Sequence, residues 1–421
     1  RFFISFHSIL NDKNGIMNKY GHSKNINIII NKPPLQLLQI PIIHLYRFCF
    51  LFFLILFGCK NNSSKNTDKV STGKHIILKY AHGFSIVDYG TYKMLEIKNP
   101  WPKSEKTYRY ALVPERQKVH LNKADFEAIL KIPIKKIVVT STTHIPALEL
   151  LHVEESLMGF PGIDYISSEK TRKRIDNGTI RDLGKNESIN TEVLLELHPD
   201  VVVGFGVNGN NKTFEMIKKS NIPVLYDGDW VESSPLAKAE WIKFFGLLYN
   251  KEKEADSIFN TIEKEYLQAK LLAKHVKIQP TVLSGAMTND IWYLPNGQSN
   301  EAQLLEDANT NYLWKESEGT GSLSLNFETV FTKAKDADIW LNPSNFVSLD
   351  ALRKSNLHYT MFKAFQTKKI YSFTNTTGKT GGVLYYELGI TRPDIVLKDL
   401  IKICHPELLE NYKPLFYKPL E

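Results

Sequence analysis

The stretch NKEKEADSIFNTIEKEYLQAKLLAKH, residues 250–275, sets the fold that the rest of the chain can adopt. Ala255, Ile258, Phe259, Ile262, Tyr266 and Ala269 recur at three- and four-residue steps, so a helix gathers them on one stripe. Glu254, Glu263, Lys264, Glu265 and Lys270 fall mostly off that stripe, and no Gly or Pro interrupts it. Asn250 is placed to cap the start by accepting a backbone N–H. Pro280 lies where the chain has left the helix. Stretches that alternate strand and helix patterns flank the segment on both sides. The spacing therefore predicts one long helix acting as a strut between two α/β lobes; taken alone, it also fits an ordinary amphipathic surface helix.

A chain of 421 residues with 43% hydrophobic side chains is long enough for two domains with cores of their own. The formal charge of +8 is moderately basic. Lys and Arg form no dense stripe with interleaved aromatics, which argues against nucleic acid as a partner. The balance leaves an anionic ligand or an acidic surface open. Of the 3 cysteines, Cys49 and Cys59 belong to the front of the chain and only Cys404 to its body, which excludes an internal disulfide framework there.

Residues 1–58 read as a leader. Arg47 precedes FCFLFFLILF at 48–57, an apolar run too short to span a bilayer as a free helix but suited to the core of a signal peptide. The run ends in Leu56-Phe57-Gly58-Cys59. After it, KNNSSKNTDKVSTGK is polar and aperiodic, a flexible tether over residues 59–74.

Residues 75–113 alternate polar and apolar and predict a small antiparallel β extension on the first lobe, followed by a short turn or helix at 120–130. IVVT at 137–140, SLMGF at 156–160, VVVGFG at 201–206 and IPVLYD at 222–227 are strands separated by helices or loops, a parallel sheet by the logic of βαβ connections. The stretch PGIDYISSEKTRKRIDNG reads as a loop made basic by Arg172, Lys173 and Arg174, with Arg181 just beyond. Beyond the strut, TVLSGAM, DIWLN and KIYSFT are strands, NDIWYLPNG is a loop, and residues 392–404 are a helix with Pro393 in its first turn. Together these give an N-terminal unit at 75–249, a connecting helix at 250–275 and a second α/β lobe at 276–421.

One pattern occurs twice. Asn190-Thr191-Glu192-Val193 and Asn326-Phe327-Glu328-Thr329 each lead into a helix, then an Asp, then a strand. Each Asn can cap its helix, and each Glu falls in the first turn, where the helix dipole favours a carboxylate. Capping alone accounts for one such site; two matched sites on two lobes also suit something two-fold that grips both.

The layout resembles the solute-binding proteins of ABC importers for ferric siderophores and cobalamin, whose two α/β lobes are joined by a single rigid helix. The marks are IVVTSTTHIPALELLHVEESLMGF, NTEVLLELHPDVVVGFG, NIPVLYDGDW, NFETVFTKAKDADIWLN and RPDIVLKDLIKICHPEL, over roughly residues 137–406. Leu56–Cys59 resembles the lipobox of bacterial lipoproteins, with Phe57 bulkier than the residue favoured there. The resemblance implies lipidation of Cys59 and a periplasmic, membrane-anchored monomer. It implies docking of Glu192 and Glu328 on permease arginines and delivery to a permease and ATPase complex. A ligand would sit between the lobes, against loops that hold Thr142, His144, Ile163, Tyr165, Phe205, Asp229, Trp230, Asn289, Trp292, Asn345, Tyr385 and Tyr386. Of these, Thr142, His144, Tyr165, Phe205, Trp230, Trp292, Tyr385 and Tyr386 are the expected ligand contacts, since aromatics suit a large ligand with flat faces. The basic loop favours an iron complex (a ferric siderophore or haem) over a corrinoid.

No HExxH, GxSxG or GxxxxGK[ST] is present, and the histidines are dispersed. No cofactor, resident metal or catalytic residue is expected. His144 is well placed for a bare-metal site of the kind a related group builds, but no second His accompanies it in the cleft. The alternative is an exported α/β enzyme acting on a metal chelate, with His144, Asp164 and Asp229 as its candidate acids or bases.

Overall fold

A computed structural model describes residues 73–206, 208–209 and 211–421. Cys59, the apolar run before it and most of the tether lie outside the described residues. No described helix is long and apolar enough to cross a membrane.

The central helix runs Glu252–Lys274, about 35 Å at 1.5 Å per residue. Its buried side chains are Ala255, Phe259, Ile262, Tyr266, Ala269 and Ala273, the predicted stripe extended by one turn, with Ile258 at its half-buried margin. Asn250 does not cap it. That residue turns the chain in the left-handed region (φ 55°), which Asn tolerates, and Lys251 occupies the cap position without a side-chain bond. Glu252 and Glu254 in the first turn complement the helix dipole instead.

Among the described residues the buried apolar side chains form two clusters, and the helix belongs to both. Ala255, Phe259 and Ile262 pack in the first, and Tyr266, Ala269 and Ala273 in the second. The first cluster lies on a parallel sheet whose spatial order is Val224–Asp227, Val201–Phe205, Ile137–Val139, Leu157–Phe160, Arg181–Asp182. The second lies on a sheet in which Asn311–Tyr312, Thr281–Ser284, Ile339–Leu341 and Ile370–Ser372 run parallel and Lys418–Pro419 closes the edge antiparallel. In each sheet the chain starts at an inner strand and then builds outward on both sides, so each has a switch point at its carboxyl edge.

Three local expectations change. Ala128–Ile132 is a strand, parallel to Thr107–Pro114, because Leu130 and Ile132 point into the core; only Lys123–Asp125 makes a helical turn. Glu169–Asp176, expected as loop, is a helix capped by the Ser168 hydroxyl, which accepts from Thr171 N–H at 3.2 Å. Ile291–Pro295, also expected as loop, is a strand between Ala286–Thr288 and Ser322–Leu325.

The N-terminal strands Lys74–Ile76, Phe84–Asp88, Lys93–Lys98 and Thr107–Pro114 are antiparallel, and the last three share the first core. The connection at residues 79–83 is fastened to buried carboxylates. Glu240 accepts the backbone N–H groups of Lys79, Tyr80 and Ala81 at 2.7–2.9 Å, and Glu232 those of His82 and Gly83 at 2.8–2.9 Å. Tyr80 then donates its hydroxyl to Glu263 at the midpoint of the central helix and packs against both cores.

Candidate functional site

The two carboxyl edges meet. The loop after Leu157–Phe160 in the first lobe touches the loop and short helix (Leu384–Leu388) after Ile370–Ser372 in the second. Glu387 reaches across and accepts the backbone N–H groups of Ser167 and Ser168 at 2.6 and 2.8 Å. The Ser167 hydroxyl donates to Gly382 O at 2.9 Å, and Thr380 donates to Asp164 O at 2.8 Å. The seam is too close for side chains: a Cβ on Gly382 would lie 2.2 Å from Tyr165 O, and one on Gly378 2.7 Å from Ser167 Cα. Glu387 is 2% exposed, and burial, opposed by the two N–H groups, pushes its carboxyl up to about 7.

Thr142 and His144 follow the innermost strand of the first sheet, and helix His144–Leu150 packs directly against Leu384–Leu388. The His144 ring is fully buried, stacks obliquely on Phe245 at 5.5 Å and points Nε2 to 3.4 Å from Asp227 Oδ2. Burial pushes this imidazole down to about 3, so it is neutral. Asp227 ends the strand Val224–Asp227, and Asp229 opens the helical turn after it. Asp227 Oδ1 accepts the N–H of Asp229 at 2.8 Å. Burial raises both carboxyls, and the nearby Asp229 raises Asp227 further. Ligand atoms of His144, Asp227 and Asp229 all lie within 4.8 Å of one another. Asp227 was not among the sequence candidates; the signal was a lone carboxylate closing an otherwise apolar strand, VLYD.

Of the other expected ligand contacts, Tyr165 is half exposed beside the seam, and Phe205 and Trp230 are half-buried at strand ends of the first lobe. Tyr385 and Tyr386 sit on the second-lobe helix that meets the first lobe. Tyr385 lies flat on Phe373 at 3.9 Å, and Tyr386 stands edge-on to the same ring at 5.4 Å. Trp292 is corrected. It is fully buried, stacks on Trp340 at 5.5 Å and donates Nε1–H to Ser284 O, so it belongs to the second core and not to a ligand wall.

The basic stretch is corrected as well. Arg172 and Arg174 are neither solvated nor turned to a ligand. Arg172 donates to Ile163 O at 2.6 Å. Arg174 donates to the carbonyls of Glu154, Glu155 and Leu157 and fastens its helix to the second strand. Lys173 and Arg181 stay exposed.

Glu192 and Glu328 are exposed in the first turns of Thr191–Leu197 and Phe327–Ala334. Asn190 and Asn326 cap those helices alike, accepting from Val193 N–H at 3.2 Å and Thr329 N–H at 2.8 Å.

With this geometry in hand, three likenesses bear on the protein. A lipoprotein of uncharacterized role from Methanocaldococcus jannaschii is 27% identical over 401 residues, covering 88% of this chain and 94% of its own. Helicobacter pylori CeuE, solved as a nickel–histidine complex, superposes with a TM-score of 0.51 at 19% identity, covering 77% of this chain and 95% of that one. A possible iron-binding, periplasmic solute-binding protein from Staphylococcus epidermidis gives 0.50 at 16% identity, over 65% of this chain and 99% of its own. These two structures share the fold. The profile of the family described as periplasmic binding protein matches residues 137–377, which take in the parallel strands of both sheets and the helix between them, and the chain belongs to that family.

Proposed function

We propose that the protein is the substrate-binding component of an ABC importer, anchored by lipid on Cys59 to the outer face of a membrane. In this reading it takes a metal-containing small molecule between its lobes and hands it to a permease. The observation that carries the reading is the meeting of the two carboxyl edges across one helix shared by both cores. Ligands of open α/β sheets bind at such edges. The lipoprotein relative from M. jannaschii supports the anchor, and the nickel and iron descriptions of the structural neighbours support a metal complex as cargo. With Arg172 and Arg174 held by backbone carbonyls, the case for an anionic ferric chelate over haem or a corrinoid weakens. Thr142, Tyr165, Phe205, Trp230, Tyr385 and Tyr386 remain the proposed ligand contacts. Glu192 and Glu328 are the proposed permease contacts, each free to take a charge-assisted bond from an arginine.

Two measurements test this. Titration of the purified protein with ferric siderophores, haem and cyanocobalamin should quench its tryptophan fluorescence for one class, and the ligand should be recovered chemically unchanged. Converting Glu192 and Glu328 together to Ala should abolish uptake in cells while leaving that quenching intact. Normal uptake by the double variant, or turnover of the ligand, overturns the proposal.

A further inference from the structure

We infer that His144, Asp227 and Asp229 form a site for one bare divalent transition-metal cation in the wall of the first lobe. The inference goes beyond the transport reading and does not depend on it.

Three observations carry it. First, the donors are buried and poised. His144 and Asp227 are 0% exposed and Asp229 5%. Among the described residues neither ring nitrogen of His144 has a hydrogen-bond partner, nor does Asp227 Oδ2. Leaving such groups unsatisfied is costly in the interior, and ion coordination is one way to satisfy Nε2 and Asp227 Oδ2 at once. Second, the spacing suits a cation. The 3.4 Å from His144 Nε2 to Asp227 Oδ2 is the edge expected when both donors stand about 2.0–2.2 Å from one tetrahedral ion. Asp229 offers a third donor oxygen within 4.8 Å of the other two. Third, the charge calls for it. The carboxylates of Asp227, Asp229 and Glu232 face one another's fields, with the Lys238 ammonium as their nearby cation. The carboxyl groups outnumber the one ammonium, so a cation brings charge of the sign the cluster lacks.

The donor set also selects. An imidazole nitrogen with two carboxylates favours zinc, nickel, cobalt or iron over magnesium and calcium, which prefer all-oxygen shells. Lys238 does not take the ligand position, because its ammonium donates to Trp230 O at 2.8 Å.

The test uses the purified protein stripped with chelator and dialysed against zinc, nickel or cobalt. About one equivalent should be retained, and the thermal midpoint should rise with cation concentration. His144→Gln and Asp227→Asn should each lose both effects. X-ray absorption of the wild-type complex keeps the proposal testable should the variants fail to fold. One imidazole nitrogen with oxygen donors is the expected shell; an all-oxygen shell, or no retained metal, overturns the site. Cation retention that fails while haem or siderophore quenching persists removes this site and leaves the transport reading. Retention without any ligand of the panel bound does the reverse.

Discussion

At the scale of single residues, Glu387 is the group whose chemistry reaches furthest. It belongs to one lobe and is held by the backbone of the other. Its carboxyl is raised from 4.5 to about 7, chiefly by burial, with the Glu149 carboxylate adding to the rise. The protonated form is therefore favoured in the closed state. The contribution of this group is fully present below about pH 4.5 and fades as pH climbs to about 7, above which it changes no further. The two limits differ by up to about 3 kcal/mol. Thermal midpoints recorded from acid to neutral pH should show that loss in the wild type, and Glu387→Gln should flatten it; a variant that follows the wild-type profile would place the titration elsewhere. Residue types at the site were only partly legible. His144 announced itself as a polar residue after a buried strand. Arg172, Arg174 and Trp292 did not, because an arginine bonded to carbonyls and one bathed in water have the same letters around them. An indole in a core likewise reads like one in a binding wall.

At the scale of elements, the central helix was legible because its inner face is purely apolar and aromatic. Phe259, fully buried within the first core, is its most sensitive position there. Phe259→Ala should cost about 3–5 kcal/mol in urea unfolding followed by circular dichroism, through lost transfer energy and the void left behind. A loss below about 1 kcal/mol would mean that the helix lies on the lobe without completing it. By contrast, Glu169–Asp176 hid from periodicity. Its buried face is built from Thr171, Arg172, Arg174 and Ile175, so polar letters fill inner positions and the pattern reads as loop. The strands Ala128–Ile132 and Ile291–Pro295 hid for another reason. Each is short, and Ala128–Ile132 pairs with Thr107–Pro114 while Ile291–Pro295 has its second partner in Ser322–Leu325, so local sequence holds only part of the information. The paired caps at Asn190 and Asn326 were legible, since an N-cap is a contact made within four residues.

At the scale of the whole molecule, closure should be shallow. The helix is continuous between the cores, and the Tyr80 hydroxyl bond to Glu263 at 2.7 Å braces its midpoint. A stiff rod of this kind permits small rotations of the lobes but not a wide swing. Small-angle scattering before and after ligand should give nearly the same radius of gyration; a large compaction would show that the brace gives way. The sharing of that rod has a second consequence. Ala255, Phe259 and Ile262 are missing from the front half if the chain is severed ahead of the rod. Tyr266, Ala269 and Ala273 are missing from the rear half if it is severed behind. Either piece is left with an open greasy trench along its flank, so evolution cannot swap one half for another's without also carrying over half a rod whose other face already fits its neighbour.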